Sequence, residues 1–325
     1  MPKDLFDNLY SNGFISDEKR AALHQWYDYP KTNLATELRS LLYLGVLLLT
    51  GGIGVYIYTH LEQLGPLTIA AVLILLLLAC LVWSARTAPP FSWRKTESPN
   101  AGYDYVLLLA GLLVPIIAVF LQTRFNFFGN RWGLASFVPM IILFALSYYF
   151  DHQGILSLAI GNLAAWLGIS IKPSLLLDFD LLQHPELIVT AFALGVSLLL
   201  LADLVKKSPY KRHFNETYRQ FGIHLSFLGA LAGLIENRHS WAIWYLLLLA
   251  TGAWQLHRAF SEKSSYLMVT AVLYLYIGTC YVVSAKLLNT AHDIGELYLN
   301  LFYYLFSGIA VAILINRLHQ KLKAA

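Results

Sequence analysis

Ten apolar runs, each close to the length of a membrane-crossing helix, alternate with short polar segments along most of this chain. They lie at 41–59, 66–85, 104–121, 132–150, 155–171, 187–204, 221–236, 241–256, 266–285 and 297–316. About 20 apolar residues in a helix span the roughly 30 Å hydrocarbon core of a bilayer. The pattern predicts an all-α, polytopic transmembrane helix bundle of about ten spans over residues 40–325. The seventh and eighth runs hold 16 residues each, which rise only about 24 Å as helix. They read either as spans of a thin membrane or as a tilted re-entrant pair, and the second choice gives eight spans.

Residues 1–39 have a different pattern. Leu5 and Leu9, with Phe6, form an apolar stripe on a first short helix that Asn12-Gly13 breaks. Ser16 is a good N-cap for a second helix, with Asp17 and Glu18 in its first turn. That helix carries Ala21, Leu23, His24 and Trp26 and stops before Pro30. The result is a short helical hairpin, which either docks on a partner or the membrane surface or simply leads into the first span. The N-terminal residues lack the apolar core and cleavage site of a secretory signal, so the first span is expected to act as an uncleaved insertion signal.

Composition agrees with lipid as the solvent. The 325 residues are 58% hydrophobic and 13% charged, against about 25% charged in soluble domains. The net charge of +4 does not point to nucleic acid, but the placement of the cations is informative. With ten spans, 18 of the 23 Lys and Arg residues fall on the side of the two termini. Lys206, Lys207, Lys211, Arg212 and Arg219 form the densest group on that side. The positive-inside rule then puts both termini in the cytoplasm. Lys206, Lys207, Lys211 and Arg212 would also favour anionic lipids. Tyr58, Trp83, Trp132, Tyr148, Tyr149, Trp241 and Tyr266 stand at span ends, where amphipathic rings are favoured.

No catalytic signature, nucleotide loop or cofactor motif is present. Cys80 and Cys280 sit inside apolar runs as small hydrophobes. Polar residues at membrane depth are costly, which makes them functional candidates. Asn162 stands mid-span among small residues, able to bond across helices or to line a path. His224 lies near the inner end of the seventh run, and Asp203 lies one turn before Lys206 and Lys207 as a local partner. Gln255 closes the eighth run as an interfacial residue. Tyr274 in the ninth run and Asn300, Tyr303 and Tyr304 in the tenth form a polar-aromatic set; the last three share one helix face by their spacing. This set either binds a ligand or joins helices by hydrogen bonds. The outer loops collect His60, Glu62, His184, Glu186, His239, His292, Asp293 and Glu296. His with carboxylate is the ligand set of divalent transition metals, and it is also what ordinary solvated loops contain. Pro115 and Pro139 interrupt the third and fourth runs, as at gates and in static bundles alike.

Two stretches carry a resemblance. One is Leu9-Tyr10-Ser11-Asn12-Gly13-Phe14-Ile15-Ser16 leading to Ala21-Ala22-Leu23; the other runs from Leu44-Gly45 through Thr50-Gly51-Gly52-Ile53-Gly54 to His60-Leu61-Glu62-Gln63-Leu64. A short helical hairpin before a glycine-rich first span resembles the bacterial membrane-protein family called domain of unknown function 2157, over roughly the first hundred residues. The resemblance implies a bacterial inner-membrane protein and supplies no activity and no catalytic residues. Three functions stay open in this order: transport or a channel for a small solute or ion, a membrane scaffold or sensor working through the hairpin and the basic loops, and a membrane enzyme or metal site on the outer face.

Overall fold

The computed structural model describes residues 4–21, 34–171, 184–236, 240–288 and 294–324. All regular structure among them is helical. The chain divides into two compact units, Met1–Ile53 and Gly54–Ala325.

The first unit opens with α1 (Asp4–Ser11), a turn, and α2 (17–21). Gly13 takes a φ of +76°. The Phe14 amide donates to Leu9 O and the Gly13 amide to Tyr10 O, both at 3.0 Å. This pair of bonds is a Schellman stop, which needs a left-handed residue and so selects glycine. Ser16 caps α2 through a 3.4 Å bond from the Lys19 amide. Arg20 pairs with Asp17 at 3.0 Å and lies 4.4 Å over the Tyr10 ring. The rest of the predicted second helix lies outside the described residues.

The apolar runs coincide with α3 (Leu34–Leu64), α4 (Pro66–Thr87), α5 (Ala101–Phe125), α6 (Leu134–Phe150), α7 (Gln153–Ile171), α8 (Pro185–Lys207), α9 (Asn215–Glu236), α10 (Trp241–Ser261), α11 (Ser265–Val282) and α12 (Ile294–Ala324). A π-helical segment, Val283–Leu288, prolongs α11. Six of these helices, α4, α5, α7, α8, α11 and α12, are long and apolar enough to cross a membrane. Leu41–Tyr56 and Leu134–Phe150 are shorter apolar helices. The seventh and eighth runs belong to helices of 22 and 21 residues, which rise about 33 and 32 Å. Polar residues at the start of α9 and at the end of α10 extend the helices beyond their apolar parts. α5 and α6 continue as helix through Pro115 and Pro139.

Within the second unit, helices adjacent in sequence pack as antiparallel pairs. The tightest is α8 with α9: a Cβ on Gly195 would lie 2.2 Å from the Ser226 backbone nitrogen. Only glycine permits that approach, the small-residue packing by which helices associate in lipid. The interior is apolar around Leu107, Leu143, Leu199 and Leu248, all at 0% exposure. The outer surface is apolar too: Leu75, Leu246 and Phe306 are each at least 64% exposed. A surface as greasy as the interior is matched to lipid, not water. The molecule is a multi-pass helical membrane protein.

Loops assigned to one side by the cation count meet at one end of this unit. Thr96 contacts Asp151, Lys211 contacts Trp93 and Lys206 contacts Glu262. At the other end the Tyr281 hydroxyl donates to Ile235 O at 3.2 Å, joining the far ends of α11 and α9. α9 and α10 therefore run between the two ends of the bundle.

Candidate functional site

The polar residues at membrane depth find partners within the helices. The Asn162 amide donates to Leu158 O on its own helix at 3.0 Å. His224 bridges two tyrosines, with Nδ1 3.0 Å from the Tyr274 hydroxyl and Nε2 2.9 Å from that of Tyr266. The Ser284 hydroxyl donates to Asn300 Oδ1 at 2.6 Å, and the Tyr303 hydroxyl points at Cys280 Sγ at 3.7 Å. Tyr304 is exposed beside Tyr303, their ring centroids 5.6 Å apart. Asn300 and Tyr303 thus share a face towards α11 and its π-helical extension, while Tyr304 turns outward. Asn162 stands apart from them.

The outer-face set is only partly placed. His239, His292 and Asp293 lie outside the described residues, as do the side chains of His60, Glu62 and Glu296. His184 stands at the N-cap position of α8 without a side-chain capping bond, and Glu186 is exposed in the first turn. Among the described residues no three His, Cys, Asp or Glu side chains are placed to hold a metal.

Chemistry concentrates instead at the basic end. Asp151 caps α6 and Lys211 precedes a 3-10 turn, Arg212–Phe214, that leads into α9. Both residues are left-handed, with φ of +57° and +45°, a conformation that costs a non-glycine residue about 1–2 kcal/mol. Both are also buried. Lys211 Nζ lies 3.0 Å from Asp151 Oδ1, with side chains 1% and 4% exposed. His213 Nε2 lies 2.7 Å from the same oxygen, and the Thr96 amide donates to Oδ2 at 2.6 Å. The Lys211 amide donates to Trp93 O at 2.7 Å. One carboxylate therefore ties together three loops: 88–100, the α6–α7 junction and 208–214.

A second acid–histidine contact lies beside it. His152 is 6% exposed; its Nδ1 accepts the Ile155 amide at 3.1 Å and its Nε2 lies 3.9 Å from Asp104 Oδ1. The Ser98 hydroxyl donates to that Asp104 oxygen at 2.5 Å. Burial pushes His152 and His213 below their ordinary pKa, against the opposing pull of Asp104 and Asp151 respectively. Both imidazoles are accordingly held neutral in the fold.

Ion pairs brace the helix ends around this core. Glu262 caps α10 and accepts Lys206 Nζ at 2.7 Å and the Arg219 guanidinium, which also grips Glu216. Burial alone would raise the Glu262 carboxyl; Lys206 and Arg219 outweigh it and hold the group below its ordinary range. Asp203 pairs with Arg258 on α10, not with the neighbouring Lys206 or Lys207. Lys206 and Lys207 follow it by three and four residues on a helix whose C-terminal turn faces α10, so the partner across the gap wins. Gln255 is fully buried rather than interfacial, with neither amide atom hydrogen-bonded among the described residues. Lys211, grouped by sequence with the lipid-facing cations, instead turns inward to Asp151.

Two open cavities lie among the remaining cations. One of about 450 Å³ is lined by Arg94, Lys95, Lys206, Arg212 and His213, with Asn215 at the start of α9. The other, of about 580 Å³, is lined by Lys206, Lys207, Arg212, Arg258 and Asp203. Among the described residues Arg94, Lys95, Lys207 and Arg212 have no carboxylate within ion-pair reach. Exposed aromatics edge the same end: Phe91, Trp93, Tyr149 and Tyr210, linked by ring contacts of 5.1–6.1 Å. Basic groups flanked by Trp and Tyr are the make-up of a membrane–water interface.

Residues 7–156 match the family model described as a predicted membrane protein, DUF2157. This is the family that the hairpin and the glycine-rich first span resemble. No curated protein and no solved structure matches the chain. The DUF2157 match contains Thr96, Asp104, Asp151 and His152 and ends before Lys206. The central ion pair therefore joins a residue inside the matched segment to one beyond it. Sequence reasoning passed over Asp151, His152 and His213. The available signal was Asp151-His152-Gln153, a polar break between two apolar runs that is too short to form a loop of its own.

Proposed function

We propose that this protein is a membrane scaffold or sensor that binds anionic phosphate-bearing groups at its basic end, with the helical bundle as platform. The observation that carries this reading is four cations lining two cavities with no carboxylate partner among the described residues, three of them on loops that a buried ion pair ties together and Lys207 at the end of α8. Cations without carboxylate partners in a concave site raise the local concentration of anions. A rigid base keeps them from collapsing onto neighbouring acids. In this reading the chain sits in a bacterial inner membrane with both termini in the cytoplasm, where the leaflet is anionic. In the same reading residues 1–39 offer the exposed Phe14 to a protein partner in the cytoplasm.

The test is the thermal stability of the detergent-purified full chain with added phosphatidylglycerol or phosphatidylcholine. A ligand of the folded state raises apparent stability. The anionic lipid is expected to stabilise and the zwitterionic lipid not, and the R94Q/R212Q double variant is expected to lose the difference. Equal shifts with both lipids would remove the reading. Transport of a small solute draws on His224, Tyr274, Asn300 and Tyr303. His224 already bonds Tyr274, Asn300 accepts from Ser284 and Tyr303 points at Cys280, so a solute would have to displace those contacts. Solute flux in reconstituted vesicles that Asn300→Ala abolishes would move transport to first place.

A further inference from the structure

The two basic cavities are neighbours, and Lys206 and Arg212 line both. The uncompensated cations divide between them. Arg94 and Lys95 belong to the first alone, Lys207 to the second alone, and Arg212 to both. Each cavity thus holds at least two positive groups with no carboxylate partner among the described residues. Lys206 is shared as well, but Glu262 neutralises it at 2.7 Å. The first cavity also adjoins Asn215, the start of α9, where the positive end of the helix dipole favours an anion. A single phosphate seated in one cavity would leave the other's charges unmet.

We propose that the two cavities form one site for a ligand bearing two linked phosphate groups, one group in each cavity and Arg212 between them. The proposal rests on the anion-binding reading above and specifies its ligand. Guanidinium suits the shared position because its planar fork donates to two acceptors at once. The ligand class has two sources, a phospholipid with two phosphates or a soluble diphosphate. Linking two groups turns the second contact into an intramolecular one, so the pair binds more tightly than either group alone.

The experiment titrates the full-length protein with inorganic phosphate and with pyrophosphate, reading Trp fluorescence; Trp93 stands beside Arg94. Pyrophosphate is expected to bind at least about tenfold more tightly than phosphate. Arg94→Gln and Lys207→Gln, each confined to one cavity, are expected to bring pyrophosphate down to the phosphate level. Both side chains are exposed and carry no ion pair among the described residues, so the thermal transition without ligand is expected to stay unchanged. Nanodiscs identify the source: loss of pyrophosphate binding with cardiolipin, but not with phosphatidylglycerol of equal charge, assigns the lipid; retention with both assigns a soluble diphosphate. Equal affinities for phosphate and pyrophosphate, with the phosphatidylglycerol shift intact, would overturn the two-phosphate site and leave the general reading standing. Loss of that shift as well would remove both.

Discussion

Breaking the Asp151–Lys211 pair should cost unequal amounts from its two sides. At 3.0 Å the gross attraction is about 5–6 kcal/mol with an effective dielectric of about 20. The net effect depends on what each partner keeps. Lys211→Met leaves Asp151 with the Thr96 amide and His213 as donors, so a loss of about 1–3 kcal/mol is expected. Asp151→Asn keeps a side chain that tolerates the left-handed backbone, but it strands a lysine that is 1% exposed. The Phe91 ring, 5.4 Å from that ammonium, cannot replace the lost carboxylate. The expected loss is about 3–5 kcal/mol, as for other uncompensated buried charges. The double variant removes the stranded charge and should be less destabilised than the sum of the singles, by about 2 kcal/mol. The assay is reversible unfolding in mixed detergent micelles, followed by Trp fluorescence and compared at one temperature. Additive losses, or Lys211→Met costing more than Asp151→Asn, would refute the assignment of this pair as the fastening of the basic end.

The remaining predictions concern packing and pH. Gly195→Ala puts a Cβ 2.2 Å from the Ser226 nitrogen, so α8 and α9 must separate; a loss of about 1–3 kcal/mol in the same unfolding assay is expected. Gly51→Ala, with nothing within 4 Å of its Cβ among the described residues, should change the unfolding midpoint little. Gln255→Leu removes two buried polar atoms that have no partner among the described residues; it should be neutral or stabilising by about 1 kcal/mol, and a clear loss would refute that reading of the site. Burial keeps His152 and His213 neutral in the fold, so the unfolded chain takes up protons first as pH falls below the ordinary value of 6.5. Thermal stability is therefore expected to be flat above that pH and to decline below it. Glu262 contributes stability above its ordinary value of 4.5 and loses it as pH falls through its lower folded value; the E262Q variant should show a shallower acid decline.

The sequence by itself determined the class of molecule and most of its elements. Ten apolar runs at the length of a bilayer specify helices, because backbone in lipid must satisfy its hydrogen bonds within the segment. The alternating placement of Lys and Arg correctly grouped the loops that meet at the basic end. Asn12-Gly13 and Ser16 announced a helix stop and a helix start, since turns and caps are local chemistry. Ion-pair partners were not legible. Asp203 chose Arg258, 55 residues away, over neighbours on its own helix, and Asp151 found Lys211 from 60 residues away. Neither separation carries a periodicity to read. Which cations remain without a partner follows from those pairings, so the candidate site exists only after the helices are assembled. The tertiary structure alone decided that Lys211 faces inward while Lys207 and Arg212 face out. The physical reason is that a charge goes where its desolvation is repaid, and at Lys211 the carboxylate of a distant loop supplies that compensation.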